Sequence, residues 1–276
     1  MIGLFYPDRA HELTSGTSGG SWLADAPLSL VTSADITDVA RSTNALTTST
    51  IIQIDLGATY PLRLFYMAGT NLSDAATWVA KVGTTLGAGD VLTTGSLNAW
   101  ELGSEAGFSA VGVQDTASYY RRRFHNAYIH TSFVSGRYLR YEINDTSNPV
   151  GYVEVGKAGA AGGYIPTVNA SYGLKDSWTD LSTKTRAESG AQWANKRRRL
   201  RSVSMVLEQR TMIEADMLHD MQRILGTVEP VFYSPDVSDA QLTQRYGFLG
   251  TMRELSSLEY PYYNRRSLPI SIEEIA

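Results

Sequence analysis

Counting back from Leu207, every second position is apolar through Met205 and Val203, and the same series then runs into Arg201, Arg199 and Arg197. A period of two marks a strand with one face on a core, so these arginines extend the apolar side of the strand beyond the core edge. The period then changes. Ile213, Met217, Met221 and Ile224 recur at 4, 4 and 3, which places them on one stripe of a helix. Thr211 and Glu214 form a capping-box pattern, Gly226 suits the C′ position and Pro230 stops extension, so a helix is predicted over 212–225. The stripe is expected to cover a sheet, leaving the other face of the helix for a neighbour. Two strands follow, the last alternating through Leu268, Ile270 and Ile272.

The N-terminal half reads as short strands between turns. Residues 51–56 form the first, stopped by Gly57, and 62–68, 78–82, 137–143 and 152–155 follow. Residues 1–50 are loop-rich, with a flexible turn at 15–20. This spacing suits a sandwich or jelly roll. Residues 156–163 contain Gly156, Gly159, Gly162 and Gly163, and ordering glycine costs more backbone entropy than any other residue. They are read as a domain boundary, with a long inter-strand loop as the alternative. The expected fold is mainly β: an N-terminal jelly-roll β-sandwich over 1–156, a Gly-rich linker over 157–164, and a second β domain with one packed helix over 165–276.

Composition agrees with this class. The 276 residues are 43% hydrophobic, with 24 Gly and 16 Tyr, a mixture that favours strands and turns. A formal charge of −4 gives no global pull toward nucleic acid or an anionic membrane. Cysteine is absent, which removes disulfides and thiolate metal sites. The first residues lack a basic region followed by an apolar one, so no signal peptide is expected. No apolar run approaches the roughly 18–20 residues of a membrane span.

Candidate chemistry is sparse. Residues 16–20 match the G-x-S-x-G elbow pattern, but that motif needs a buried strand before it and a helix after it, and neither is predicted. His11, His125, His130 and His219 are scattered, and the spacing of His125 and His130 does not suit a helical metal pair. No P-loop or dinucleotide fingerprint is present. No catalytic residue, metal or cofactor is expected. The basic cluster 196–201 reads as a solvated strand end, as a guanidinium clamp for carboxylates of an adjoining subunit, or as a nucleic-acid contact. The acidic total and lack of interleaved aromatics weaken the third. Trp100, Tyr119, Tyr120 and Arg122 lie in loop-like stretches and are candidate glycan contacts, because aromatic faces stack on sugar C–H faces while polar neighbours bond the hydroxyls.

Two stretches resemble known families. Ile52-Gln53-Ile54-Asp55-Leu56-Gly57 with residues 67–78, closed by 137–143, 148–149 and 151–156, resembles a galactose-binding-like (discoidin) jelly roll. There Asp55 would be only a structural strand ending. The second half, through Trp178, Asp180, the basic strand, the helix, residues 230–236, 246–250 and the last strand, is similar to minor tail proteins of long-tailed bacteriophages, of the distal tail or tail-tip hub type. That resemblance implies a structural virion protein, assembled in the bacterial host cytoplasm and placed in the tail tip. Its tail-tube-like β-sandwich-plus-helix domain would form a homo-oligomeric, hexameric ring contacting the tail tube protein and the hub or fibre proteins. Placing the jelly roll first departs from many distal tail proteins, which begin with the belt domain. A ring needs heterologous contacts, and the interface candidates are Arg197, Arg199, Arg201, Leu268, Ile270 and Ile272, on strands expected to present open edges. The alternative function is a glycan-binding module for host-surface carbohydrate.

Overall fold

The computed structural model describes residues 1–13, 16–101, 125–188, 190–195, 197 and 199–275. The fold is mainly β, built on two curled antiparallel seven-stranded sheets. In the first unit, β2 (Ile51–Ala68) pairs with β4 (His125–Asn144), which pairs in turn with β3 (Thr77–Gly83). Ile52, Ile54, Trp78, Val82, Leu139 and Tyr141 alternate onto one face and are buried under a cover drawn from the N-terminal segment, including Leu28, Val31 and Ala40. The short pair Ala40–Arg41 with Glu154–Val155 faces this sheet, completing a jelly-roll-like sandwich. The two strands expected at 51–56 and 62–68 are one. Gly57 (φ +78°) marks a register shift between Asp55 and Tyr60, not a stop. Extra residues on one side of a pair bend and twist a long strand without ending it.

The glycine-rich segment is not a linker. Lys157–Ala161 is strand β5, fully buried, paired with β2 from Lys157↔Ala68 to Ala161↔Leu64. Its glycines are needed because other chain lies directly against it. A Cβ on Gly159 would come within 2.5 Å of Asp8 Oδ1, and one on Gly163 (φ +115°) within 2.7 Å of the Leu4 carbonyl oxygen.

The N-terminus departs from the expected order as well. Strand β1 (Gly3–Phe5) pairs with β8 (Val231–Ser234) in the second sheet, so the jelly roll is inserted into the second unit after its first strand. The division at 156 therefore does not separate two consecutive domains. Three apolar residues are too few to carry a pattern, and their partner is more than 200 positions away. The rest of this sheet comprises β6 (Lys175–Asp180), β7 (Arg199–Arg210), β9 (Phe248–Met252), β10 (Glu259–Tyr262) and β11 (Arg265–Glu274), in the order β1-β8-β9-β11-β7-β6 with β10 on β11.

Helix α1 (Met212–Leu225) packs on one face of this sheet, while the other face meets the jelly roll at the β1-β8-β9 end. Alternation follows that division. Leu4, Val231, Tyr233 and Phe248 join Leu218 and Met221 on the helix side, whereas Phe5, Phe232 and Leu249 meet Leu64, Tyr66 and Ala161 of the jelly roll. Strands buried on both faces read as continuous apolar runs, as in Val231-Phe232-Tyr233. In β7 and β11 one face is open, and Ser204 and Ser271 bond across it at 3.1 Å. The short helix α2 (Ala240–Tyr246) closes the junction. Gln244 Nε2 donates to Ala99 O at 2.6 Å, and its Oε1 accepts from Glu101 N at 2.8 Å.

The caps of α1 form as expected. The Thr211 side chain accepts from Glu214 N, the Glu214 side chain takes Thr211 N, and Gly226 follows the last turn. The covering face differs. The core side is Ala215, Leu218, Met221 and Leu225, so Met221 alone of the expected stripe is buried. Two apolar stripes share this helix, and the one nearer the capping turn faces outward.

Candidate functional site

Strand β6 is the outer edge of the second sheet, and all of its residues but Thr179 are exposed. It is also the root of an arm. Its pairing with β7 runs from Lys175↔Ser204 to Asp180↔Arg199, and the same hairpin continues outward as Thr183–Arg186 paired with Gln192–Asn195, every residue of that pair being exposed. At the elbow, Arg197 N donates to Ser182 Oγ at 2.8 Å and Ser182 N donates to Asp180 Oδ1 at 2.9 Å. The Ser182 hydroxyl and amide, with Arg199 at 3.6 Å, hold the Asp180 carboxyl below its ordinary range. Trp193 is 62% exposed at the outer hairpin, opposite Thr185, and Trp178 is half exposed at the root.

The outward stripe of α1 is the second unusual surface. Ile213 (74% exposed), Met217 and Ile224 follow one line along the helix, and Val228 (77%) lies just beyond its end. Single exposed apolar residues are ordinary, but several on one helix face point to an interaction surface.

The predicted interface residues divide between these surfaces and the core. Arg197 and Arg199 are exposed on the arm. Arg201 lies on the core side, as its spacing from Val203 requires, and its guanidinium donates to Arg245 O at 2.6 Å and stands 5.1 Å from the Trp178 ring centroid. It braces its own chain. Leu268, Ile270 and Ile272 are corrected: they are buried in the core that α1 covers, and β11 lies inside the sheet, paired by β7 on one side and by β9 (at 272–274) and β10 (at 265–267) on the other. An alternating C-terminal strand reads the same at an edge or at the centre, because side-chain period carries no information about backbone partners.

Trp100 is half-buried against the jelly-roll core and donates its indole N–H to Leu72 O at 3.1 Å. Tyr119, Tyr120 and Arg122, like Lys196 and Arg198, lie outside the described residues. A groove of about 340 Å³ crosses the jelly-roll sheet instead, lined by Thr47, Thr77, Ser96, Arg140, Glu142 and Asn144 among others. Glu142 is held by Lys81 Nζ and Arg140 Nε, each at 2.7 Å. These cations keep its carboxyl below its ordinary range against the opposing cost of burial. No pattern in the sequence pointed to this groove, since its residues come from separate strands.

The elbow motif forms no elbow: Thr17–Ser18 is a two-residue strand on β2, with Ser18 Oγ 3.5 Å from Gln53 Oε1. A buried lysine and a partly buried histidine lie where segments meet. Lys157 Nζ donates to His11 Nδ1 and to Ser33 O, both at 2.8 Å, and His11 Nε2 is 3.7 Å from Glu229. Burial, then Lys157, lowers the His11 pKa. Among the described residues no cluster of three or more His, Asp or Glu is placed to hold a metal, and no helix is long and apolar enough to cross a membrane.

No family model and no curated protein matches the chain. Among solved structures it is similar to a Streptococcus pneumoniae fucose binding module, with 14% identity over 59% of this chain and 100% of the module (TM-score 0.35). It is also similar to CBM32-1 from a family 31 glycoside hydrolase of Clostridium perfringens, with 9% identity over 52% of this chain and 92% of that one (TM-score 0.32). A third is truncated AlyQ with CBM32 and alginate lyase domains, with 10% identity over 88% of this chain and 56% of that one (TM-score 0.36). Fucose binding is a property of the first of these, and none of the three is a tail protein.

Proposed function

We propose that this chain is a non-catalytic assembly subunit that repeats through its second unit and carries the inserted jelly roll outward. The observation that supports this most is the arm. A monomeric protein gains no stability from a solvated two-stranded hairpin with a bare tryptophan, and an isolated hairpin is marginal in water. An edge strand at the root of the arm offers unpaired backbone groups that a neighbour completes. The bacteriophage tail-tip reading rests on the sequence resemblance. In that reading the subunits form a ring, hexameric in the family, between the tail tube protein and the hub or fibres, within the virion. Size-exclusion chromatography with light scattering, followed by negative-stain imaging, tests it. Rings with a central hole are the expected result, and a monomer at every soluble concentration overturns the proposal.

A second reading, glycan binding by the jelly roll, is favoured by the groove at Arg140 and Glu142, where a cation, a carboxylate and several hydroxyls converge as sugar hydroxyls require. Fucose, named for one similar module, is the first sugar to titrate. Binding that is lost in Glu142→Gln supports a site in this groove; no heat across a panel of sugars removes it.

A further inference from the structure

The arm and the outward stripe of α1 are complementary, and the side chains that each presents, Trp193 on one and Ile213 on the other, are largely exposed. Residues 175–199 carry seven basic and three acidic side chains in a chain whose net charge is −4. Helix α1 carries three acidic side chains and one basic one, with Glu214 taken up by the cap and Asp220 3.2 Å from Arg223. The arm presents Trp193, and the helix presents Ile213, Met217 and Ile224 flanked by Asp216 and Asp220. We infer that the basic arm of one copy docks on the acidic, apolar-striped face of α1 in a second copy, with Trp193 seated on the Met217–Ile224 line.

Docking within one chain is disfavoured by topology. The arm leaves the Arg199 end of β7 and α1 leaves the Arg210 end, about 36 Å away at ~3.3 Å per residue. The arm continues the β6–β7 hairpin beyond Arg199. A contact between two different surfaces is heterologous, so each copy keeps one free half until the set closes. The opposite charges steer the encounter and fix its polarity, while aromatic burial supplies the anchor. This inference rests on the assembly reading and names the surfaces it would use.

The test uses the full chain in two variants, Trp193→Ser on the arm and Ile224→Glu on the helix. Both side chains lie outside the core, and a thermal transition unchanged from the parent verifies folding. Each variant alone is expected to run as a monomer by light scattering. Mixed in equal amounts they are expected to form dimers and nothing larger, because only one intact arm can meet one intact helix in each pair. Assembly by either variant as in the parent, or a mixture that stays monomeric, overturns the inference while leaving the assembly reading in place. A parent chain that never associates overturns both.

Discussion

The Nε2 of His125 donates to the main-chain oxygen of Thr243 at 2.9 Å, tying the first residue of β4 in the jelly roll to helix α2 of the second unit. The same ring stands edge-on to Phe232, with centroids 4.9 Å apart at 80°. A neutral imidazole is needed here. Burial lowers the His125 pKa from 6.5 to about 4.

That shift sets a pH dependence. The unfolded chain takes up a proton on His125 near its ordinary pKa, and the folded chain only near pH 4. The folded state is therefore fully favoured above the unfolded value and loses stability as pH falls from about 6.5 toward 4, by roughly 3 kcal/mol in all. His11, also lowered, acts in the same direction. Urea denaturation across this pH range is expected to show the slope, and His125→Gln to flatten it. An equal slope in the variant would place the linkage elsewhere.

Phe232 projects from the second sheet into the jelly-roll side, beside Phe5 at 6.4 Å and Tyr66 at 5.9 Å between ring centroids. The chain crosses between the units twice and the junction is a continuous core, so the two are expected to unfold together. Phe232→Ala should cost about 3–5 kcal/mol and leave one calorimetric transition. Two separated transitions in the parent would refute the coupling.

Gly163 distinguishes a packed crossing from a flexible tether. With a positive φ and the Leu4 carbonyl pressed against it, Gly163→Ala is expected to destabilise by about 1–3 kcal/mol. In a true linker the substitution would be neutral. Chemical denaturation of the single variant decides.

Gln209 sits at φ +59° in the bulge where the β7–β11 register shifts between Leu207 and Arg210. A side chain in that region is strained and this one is exposed. Gln209→Gly is expected to stabilise by about 0.5–1 kcal/mol, read as a higher thermal midpoint. A lower midpoint would mean that the glutamine side chain contributes a contact outweighing its strain.

Local signals in the sequence determined what local physics controls: the alternation of Val203, Met205 and Leu207, the capping box of Thr211 and Glu214, and the mainly β class. They misplaced whatever depended on distant chain. Residues 157–161 read as a linker because glycine and alanine carry no hydrophobic pattern, yet small residues are what a strand needs where Asp8 lies against it. The Ile213–Ile224 stripe read as core because a helix with two apolar faces has the same period on each. Only packing chose the face bearing Leu218 and Leu225, since that face meets Leu207 and Ile270 across the sheet. The arm was visible in sequence only as basic charge. Its length, its bare Trp193 and its place on the outer edge were decided by the tertiary structure, because backbone pairing at a sheet edge depends on which strands fill the centre.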